Sequence, residues 1–302
     1  MSISDKPPIL VFGFNRPSKL RECLIALEEN EGAELFSLHI FIDGPRDSND
    51  LESNKECFSV ASAEWKFRDK NITTRSRNLG VADSIRSGLA KIFEDHESAI
   101  IIEDDLVLHS QFLNFAVEGL EKYRKNKQIA SIQGFSLIEK QDSECYFLQG
   151  ADCWGWATWK DRWEKVNWDS RELLNEIEVS GRAKSFNFEN SYNFLRILKL
   201  TDVGKVDSWA ILWQASMFLQ NRVSVYPPFN LVLNHGFNES ATHTKSRPQG
   251  LPEISTNNIW SFPDEAKVDS ETYARVVDAY TQFIPKKHWM RKIKRLLWRI
   301  FS

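Results

Sequence analysis

The fold is decided by the stretch AIIIEDD at residues 99–105, in which four apolar residues run directly into three acids. A short apolar run rich in isoleucine is typical of a strand buried on both faces of a parallel sheet. In open α/β sheets the carboxyl ends of the strands face the ligand crevice. We therefore expect Glu103, Asp104 and Asp105 at a binding edge, where a cation relieves their mutual repulsion.

Short apolar runs and amphipathic helical patterns alternate on both sides of this stretch. Strands are predicted at residues 9–14, 38–42, 129–135 and 223–226, and helices over 20–27, 85–93, 112–123 and 209–220. This rhythm is typical of βαβ units. The predicted fold class is α/β, with a Rossmann-like, mixed and mostly parallel sheet flanked by helices.

Composition and charge limit the function classes. The 302 residues are 42% hydrophobic and 27% charged, which is typical of a globular protein. The formal net charge is −3, and residues 284–302 contain seven Lys or Arg and no acid, so residues 1–283 carry −10. An acidic body argues against nucleic-acid binding.

The sequence also indicates a location. It has no apolar run long enough to cross a bilayer, and residues 1–6 do not resemble a secretory signal. The four cysteines form no C-x-x-C pair, so we expect reduced thiols in a cytoplasmic protein.

The common phosphate-binding loops are missing. There is no G-x-G-x-x-G after a strand and no G-x-x-x-x-G-K-[ST]. The phosphates of a nucleotide would have to be bound in another way, for example through Mg²⁺ or Mn²⁺ held by carboxylates. The alternative is that the three acids form a solvated turn.

Several motifs resemble those of a known family. The acid run is similar to the E-D-D form of the D-x-D motif in inverting glycosyltransferases of the GT-A fold, particularly the N-acetylglucosaminyltransferase I family. Residues 8–17 resemble that family's first strand and donor-contacting arginine, and residues 41–43 its uracil-contacting aspartate. Residues 206–209 resemble its W-D-D-W segment and residues 234–236 its S-H-G. Residues 236–244 are also similar to a G-F-x-x-x-A-T-H-T ending in related bacterial sugar transferases.

The resemblance implies roles for individual residues. Asp207 would be the catalytic base and Asp105 would bind the metal directly. Glu103 and Asp104 would lie nearer the sugar and ribose, Arg16 would neutralise phosphate, and Asp43 would contact the donor base. Ser208 stands where the family has a second acid, which leaves Asp207 as the acid of this segment.

Three further site residues are expected from the residues themselves. Trp154, beside Gly155, is predicted to line the donor cleft with a flat apolar ring. His243 is a candidate metal ligand and His235 a candidate phosphate or loop contact.

Each assignment has a structural alternative. Asp207 is also a candidate N-cap for the helix that follows it, Arg16 a surface arginine, Asp43 a turn residue, and the two histidines ordinary loop residues. The other tryptophans are assigned to the core, because the three- and four-residue spacings of Trp156, Trp159 and Trp163 predict the buried stripe of a helix.

The C-terminal residues suggest a membrane surface. Between residues 289 and 301, apolar residues recur at helical spacing with Lys and Arg between them. Such basic amphipathic helices bind anionic lipid surfaces. The alternative is that this helix packs on the acidic body or on a partner.

The combined prediction is a metal-dependent glycosyltransferase that moves a sugar from a UDP-sugar to a glycan or lipid-linked glycan, with inversion, in bacterial surface polysaccharide synthesis. Residues 1–106 would bind the donor, 107–245 the acceptor, and 246–302 would form loops and a tail that docks on the inner face of the membrane. The rival hypotheses are a sugar-nucleotide pyrophosphorylase, a two-carboxylate glycosidase and a non-catalytic nucleotide-sugar-binding protein.

Overall fold

A computed structural model describes residues 6–237 and 250–282 of the chain. Its strands are β1 (Ile9–Gly13), β2 (Ser37–Ile42), β3 (Asp69–Thr74), β4 (Ser98–Glu103), β5 (Leu106–Leu108), β6 (Ile129–Gln133), β7 (Tyr146–Gln149), β8 (Trp156–Trp159), β9 (Val223–Tyr226) and β10 (Val232–Asn234). Its α-helices are α1 (Pro17–Glu28), α2 (Leu51–Ser62), α3 (Val81–Ile92), α4 (Phe112–Tyr123), α5 (Lys160–Trp163), α6 (Ser170–Val179), α7 (Ala183–Phe186), α8 (Phe194–Asp202), α9 (Trp209–Leu219) and α10 (Ser270–Gln282).

One mixed sheet organises this part of the chain. Its strand order is β3-β2-β1-β4-β8-β6-β9-β7. The first four strands are parallel to one another, β8 runs antiparallel between β4 and β6, β9 is parallel to β6, and β7 is antiparallel to β9. The predicted α/β architecture with a mostly parallel sheet is confirmed. Strands from both sides of residue 106, the predicted boundary between the first two regions, belong to this one sheet.

Alternate residues of the central strands build two cores. Ile9 and Val11 of β1 face one core with α1, α2 and α4, whereas Leu10 and Phe12 face the other with α3 and α9. Ile100, Ile101 and Ile102 of β4 have no solvent exposure. Burying one such side chain contributes about 1.5–3 kcal/mol, so apolar burial on both faces holds β4 and the acids at its end in place.

The predicted helical stripe of tryptophans is wrong. Trp156 and Trp159 lie in the buried strand β8, and Trp163 ends the single-turn helix α5. The side chains are buried as expected, but they do not form the stripe of one helix. Strand β8 fills the space between β4 and β6, and this tertiary position overrides the helical spacing.

A two-stranded sheet completes the binding edge. Strand β5 follows the acids and pairs antiparallel with β10, with Leu106 opposite Asn234. This pairing brings residues 234–236 back to the end of β4. Within the described ranges, no helix has the length and apolar character to cross a membrane. The predicted amphipathic helix at 289–301 lies outside the described residues.

Candidate active site

Arg16 joins the loop before α1 to the end of β4. Its guanidinium donates one hydrogen bond to Asp105 Oδ2 at 2.8 Å and a second to Asp104 Oδ1. Pro17 occupies the first turn of α1, where its fixed φ suits the start of a helix and fixes the direction of the loop. Arg16 is therefore not a free surface arginine, because it bridges two of the three acids.

The acids are held where ionisation is difficult. Burial, with the negative charges of Asp105 and Asp104, raises the pKa of Glu103 to about 8. Burial also raises the pKa of Asp104 to about 6, although the positive charge of Arg16 opposes that shift. A cation in addition to Arg16 would therefore stabilise the ionised acids at the end of β4.

The donor set fits a hard divalent metal. Asp104 Oδ2 is buried and has no hydrogen-bond partner, and a Cβ on Gly13 would lie 3.5 Å from it. The described residues contain no group of three or more His, Cys, Asp or Glu side chains placed to hold a metal. Two carboxylates, Asp104 and Asp105, suffice for Mg²⁺ or Mn²⁺ when waters and substrate phosphates complete the shell.

The backbone after β10 closes over Asp105. The His235 N–H donates to the Asp105 carbonyl oxygen at 2.8 Å, and Asn234 Oδ1 accepts from the Gly236 N–H at 2.6 Å. A Cβ on Gly236 would lie 2.3 Å from Asp105 Oδ2, so this approach requires glycine. The motif around residue 236 thus lies at the acid cluster.

The two histidine assignments have different outcomes. The His235 ring lies 3.3 Å from Glu22 Oε2 on α1, so in this structure its side chain holds α1 and its backbone holds Asp105. Its assignment as a phosphate or loop contact of the site stays a prediction. His243 lies outside the described residues, and its role as a metal ligand stays a prediction.

Asp43 organises the loop before α3. Its buried carboxylate accepts hydrogen bonds from the backbone N–H groups of Gly44, Leu79 and Gly80 at 2.9–3.1 Å and from the Asn78 side chain at 3.0 Å. These donors occupy the acceptor positions of both oxygens. The structure thus gives Asp43 a positioning role, and direct contact with a donor base stays a prediction.

Asp207 lies on the other side of that loop. A Cβ on Gly80 would be 3.2 Å from Asp207 Oδ2, so the carboxylate rests against the backbone that Asp43 holds. The N-cap of α9 is Ser208, whose side chain accepts from the Ile211 N–H at 3.4 Å. The alternative in which Asp207 caps this helix is wrong. Its exposed carboxylate accepts no hydrogen bond from any described residue.

Trp154 stands in the segment that crosses from β7 to β8. Its ring is half-buried and makes edge contacts with Phe135 and Phe237, with centroids 4.7 and 5.7 Å away. Burial and the charges of Asp152, Glu103 and Asp105 raise the pKa of the adjacent Cys153 thiol. The segment therefore passes close to the acid cluster.

Sequence reasoning missed the polar contacts behind these loops. Asn54 of α2 donates to the carbonyl oxygens of Phe14 and Asp43 at 2.8 and 2.7 Å. Buried Asp50 accepts from Asn15 at 2.6 Å and from Arg46 at 2.7 Å, and these bonds lower its pKa. Apart from Arg46 and Asp50, which are four residues apart, the partners lie 11 to 40 residues apart and form no motif, so the sequence carries no signal for those contacts.

The sequence matches no protein-family model and no curated protein. Among solved structures, S. aureus TarS is similar over 43% of this chain and 22% of its own, with 13% identity and a TM-score of 0.32. A Leptospira borgpetersenii cytidylyltransferase is similar over 54% of this chain and 63% of its own, with 10% identity and a TM-score of 0.34. The Pyrobaculum calidifontis mannosyltransferase PcManGT, solved with GDP-Man and Mn²⁺, is similar over 72% of this chain and 70% of its own, with 8% identity and a TM-score of 0.38.

The chain thus spans about a fifth of the TarS chain and less than two thirds of the cytidylyltransferase. At these identities and scores the likeness assigns no activity and no residue role. The function proposed below rests on the side chains at the end of β4 and on the motifs of the sequence.

Proposed function

We propose that this protein is a metal-dependent glycosyltransferase that moves a sugar from a UDP-sugar to a glycan acceptor with inversion. One observation carries the proposal: Arg16 bridges Asp104 and Asp105 at the tip of a buried parallel strand, beside an unpartnered carboxylate oxygen. This arrangement suits a divalent cation and a diphosphate, which both bring compensating charge to the same edge. The UDP donor and the inverting outcome are supported by the motif resemblance.

At the donor end, the residues hold charge in place. Asp105 and Asp104 would bind the metal, which supplies positive charge to the leaving diphosphate when bound. Arg16 bonds one oxygen of each carboxylate, so the other oxygen of Asp104 and of Asp105 would be available to the cation. The Arg16 side chain is 27% exposed, and its remaining N–H groups would be available to a phosphate.

At the acceptor end, Asp207 would act as the general base. Its carboxylate would accept the proton of the acceptor hydroxyl while the hydroxyl oxygen forms a bond to the anomeric carbon. The bond from that carbon to the diphosphate breaks, and UDP leaves with the bonding electrons. Base assistance of this kind contributes about 10²- to 10⁴-fold in rate. Asp207 is suited to it because the carboxylate is exposed and accepts no hydrogen bond from the described residues.

The remaining donor contacts are assigned by position. Glu103, at the end of β4 beside the other two acids, would contact a hydroxyl of the sugar or ribose. Trp154 would form an apolar wall, and Asp43 would hold the 78–80 loop against the donor. The donor is a UDP-hexose or UDP-GlcNAc in this proposal.

The acceptor class follows from the tail. A lipid-linked glycan at the inner face of a bacterial membrane would place the acceptor where the basic residues at 285–302 meet anionic lipid. Deleting residues 285–302 should release the protein from phosphatidylglycerol vesicles and leave turnover of a water-soluble acceptor unchanged. Retained vesicle binding would disprove the docking role.

The direct test is a reaction followed by proton NMR. The protein is incubated with UDP-glucose, UDP-galactose or UDP-GlcNAc, with Mg²⁺ and with a panel of oligosaccharide acceptors, and the anomeric signals of donor and product and the released UDP are monitored. The proposal expects metal-dependent UDP release and an inverted anomeric configuration in the product. Sugar 1-phosphate formed from a nucleotide sugar and pyrophosphate would indicate a pyrophosphorylase, and hydrolysis of simple glycosides without nucleotide would indicate a glycosidase. Metal-dependent UDP binding without any turnover would indicate a binding protein.

A further inference from the structure

A groove of about 440 Å³ runs along α3, outside the acid cluster. One wall is α3 together with the residue before Gly80, and the other wall is formed by two tryptophans from the segment after β8. Its lining includes Leu79, Asp83, Arg86, Ser87, Trp163 and Trp168.

The upper end of the groove lies one residue from the candidate base. Leu79 lines this end, and a Cβ on the next residue, Gly80, would lie 3.2 Å from Asp207 Oδ2. From there α3 descends from this edge of the sheet, and the seven residue steps from Asp83 to Ala90 cover about 10 Å at the rise of an α-helix. The groove is thus long enough for a short oligosaccharide whose first unit lies at Asp207.

The lining combines aromatic rings with exposed polar groups. The Trp163 and Trp168 rings meet edge to face, with centroids 4.9 Å apart. The Arg86 guanidinium carbon lies 4.9 Å from the centre of the Trp168 ring, and Arg86 Nη1 is 3.6 Å from Asp83 Oδ1. Stacking on the indole limits the motion of the guanidinium and keeps its remaining N–H groups at the groove.

These features favour a neutral polyol. Arg86 and Asp83 are 45% and 68% exposed and carry opposite charges, so the groove offers both donors and acceptors without a net charge. The half-buried Trp168 provides apolar contact for the C–H groups of a pyranose, and the charged pair can bind neighbouring hydroxyls. A polyanion such as nucleic acid would meet only one basic side chain in the lining given above.

We infer that this groove binds the acceptor glycan, holding sugar units beyond the one that receives the transferred residue. The inference rests on the proposed glycosyl transfer and adds to it the path of the acceptor. The binding of units remote from the reaction orients the first hydroxyl at Asp207, and such orientation contributes to the rate of the chemical step.

The test is to fill the groove without touching the reaction centre. Ala90 lies exposed at its lower end, so Ala90→Trp would occupy the space. Ser59→Trp, at an exposed position of α2, is the matched control. Labelled protein is applied to an oligosaccharide array with UDP and Mn²⁺ present, and UDP binding is measured separately by calorimetry.

We expect the wild type and Ser59→Trp to bind the same oligosaccharides and Ala90→Trp to bind them at least about tenfold more weakly, with UDP affinity unchanged. Arg86→Ala should weaken array binding severalfold, as a second variant that removes a side chain instead of adding one. If Ala90→Trp binds the array as tightly as the wild type, the groove is not the acceptor site. The same conclusion follows if the wild type binds UDP but no oligosaccharide. If the wild type does not bind UDP at all, the proposed function is contradicted instead.

Discussion

Two carboxylate regions at the same edge of the sheet differ in burial, in crowding and in hydrogen bonding. The acids at the end of β4 are mostly buried, crowded and bridged by Arg16, whereas Asp207 is exposed and accepts no hydrogen bond from the described residues. The first region follows a strand that is covered on both faces. The second lies in the segment between two helices, α8 and α9, whose N-cap function falls to Ser208.

The contrast separates a charge-binding role from a proton-transfer role. Desolvation makes the β4 acids unfavourable as free anions, so they gain from a bound cation. Exposure leaves Asp207 open to an acceptor hydroxyl in the proposed reaction, and its carboxylate lies close to Gly80 in the loop that Asp43 holds. The following changes test whether the two regions divide the work in this way.

The largest effect is expected for Asp207→Asn. The amide keeps the shape of the side chain but cannot accept the acceptor's proton, so transfer should fall by about 10²- to 10⁴-fold while UDP affinity stays at the wild-type value. The measurement is single-turnover transfer beside calorimetry with UDP and Mn²⁺.

Ser208→Ala is the control for this change. Losing the N-cap should lower the free energy of unfolding by about 1 kcal/mol without a comparable loss of transfer. If Asp207→Asn turns over within a few-fold of the wild-type rate, the general base lies elsewhere, and the two regions do not divide charge binding and proton transfer between them.

Arg16→Met should have the next largest effect. It leaves Asp104 and Asp105 without their cation, and we expect the free energy of unfolding at pH 8 to fall by about 2 kcal/mol, less than for a fully buried pair because Arg16 is partly exposed. The loss should shrink as the pH falls towards about 6, the pKa of Asp104 beside Arg16, because without Arg16 that pKa is higher still and the carboxyl takes up a proton.

Urea denaturation at pH 5 and pH 8 measures this effect. The matched control is Arg46→Met, which breaks an arginine–carboxylate contact at Asp50 and leaves the β4 acids paired. Mn²⁺-dependent UDP binding should weaken in Arg16→Met only. A loss of stability that is the same at both pH values would show that Arg16 does not act through the acids.

Glu103→Gln should change the free energy of unfolding in the opposite direction. Because the folded-state pKa of Glu103 is about 8, above its ordinary 4.5, the folded state holds a proton that the unfolded chain releases, and wild-type stability falls as the pH rises towards 8. The variant has no such proton, so in metal-free buffer its stability relative to wild type should rise between pH 5 and pH 8. Parallel stability profiles of the two proteins would contradict the raised pKa.

The sequence predicted the part of the site that depends on local pattern. The run from Ile100 to Asp105 identified a buried strand and its acidic tip because apolar periodicity and burial are local signals. The order of strands and helices through β4 was largely predicted for the same reason. The polar edge strand β3 and the helix α2 were missed, since β3 is mostly half-exposed and has no apolar alternation.

Contacts between distant segments could not be predicted. The Arg16 bridge spans nearly 90 residues of sequence, and the bonds from Asp43 to residues 78–80 depend on where two loops meet. The tryptophan spacing was assigned to a helix because a period of three to four fits one. The antiparallel position of β8 beside β4 is a property of the whole sheet.

The central claim is that the end of β4 binds a nucleotide diphosphate through a divalent cation. The most direct measurement is calorimetric titration of UDP into the wild type and Asp105→Ala, each with Mn²⁺ and with chelator. We expect the wild type to bind UDP at least about tenfold more tightly with Mn²⁺, and Asp105→Ala to lose that difference. Equal affinity in chelator, or an undiminished Mn²⁺ effect in Asp105→Ala, would contradict the claim.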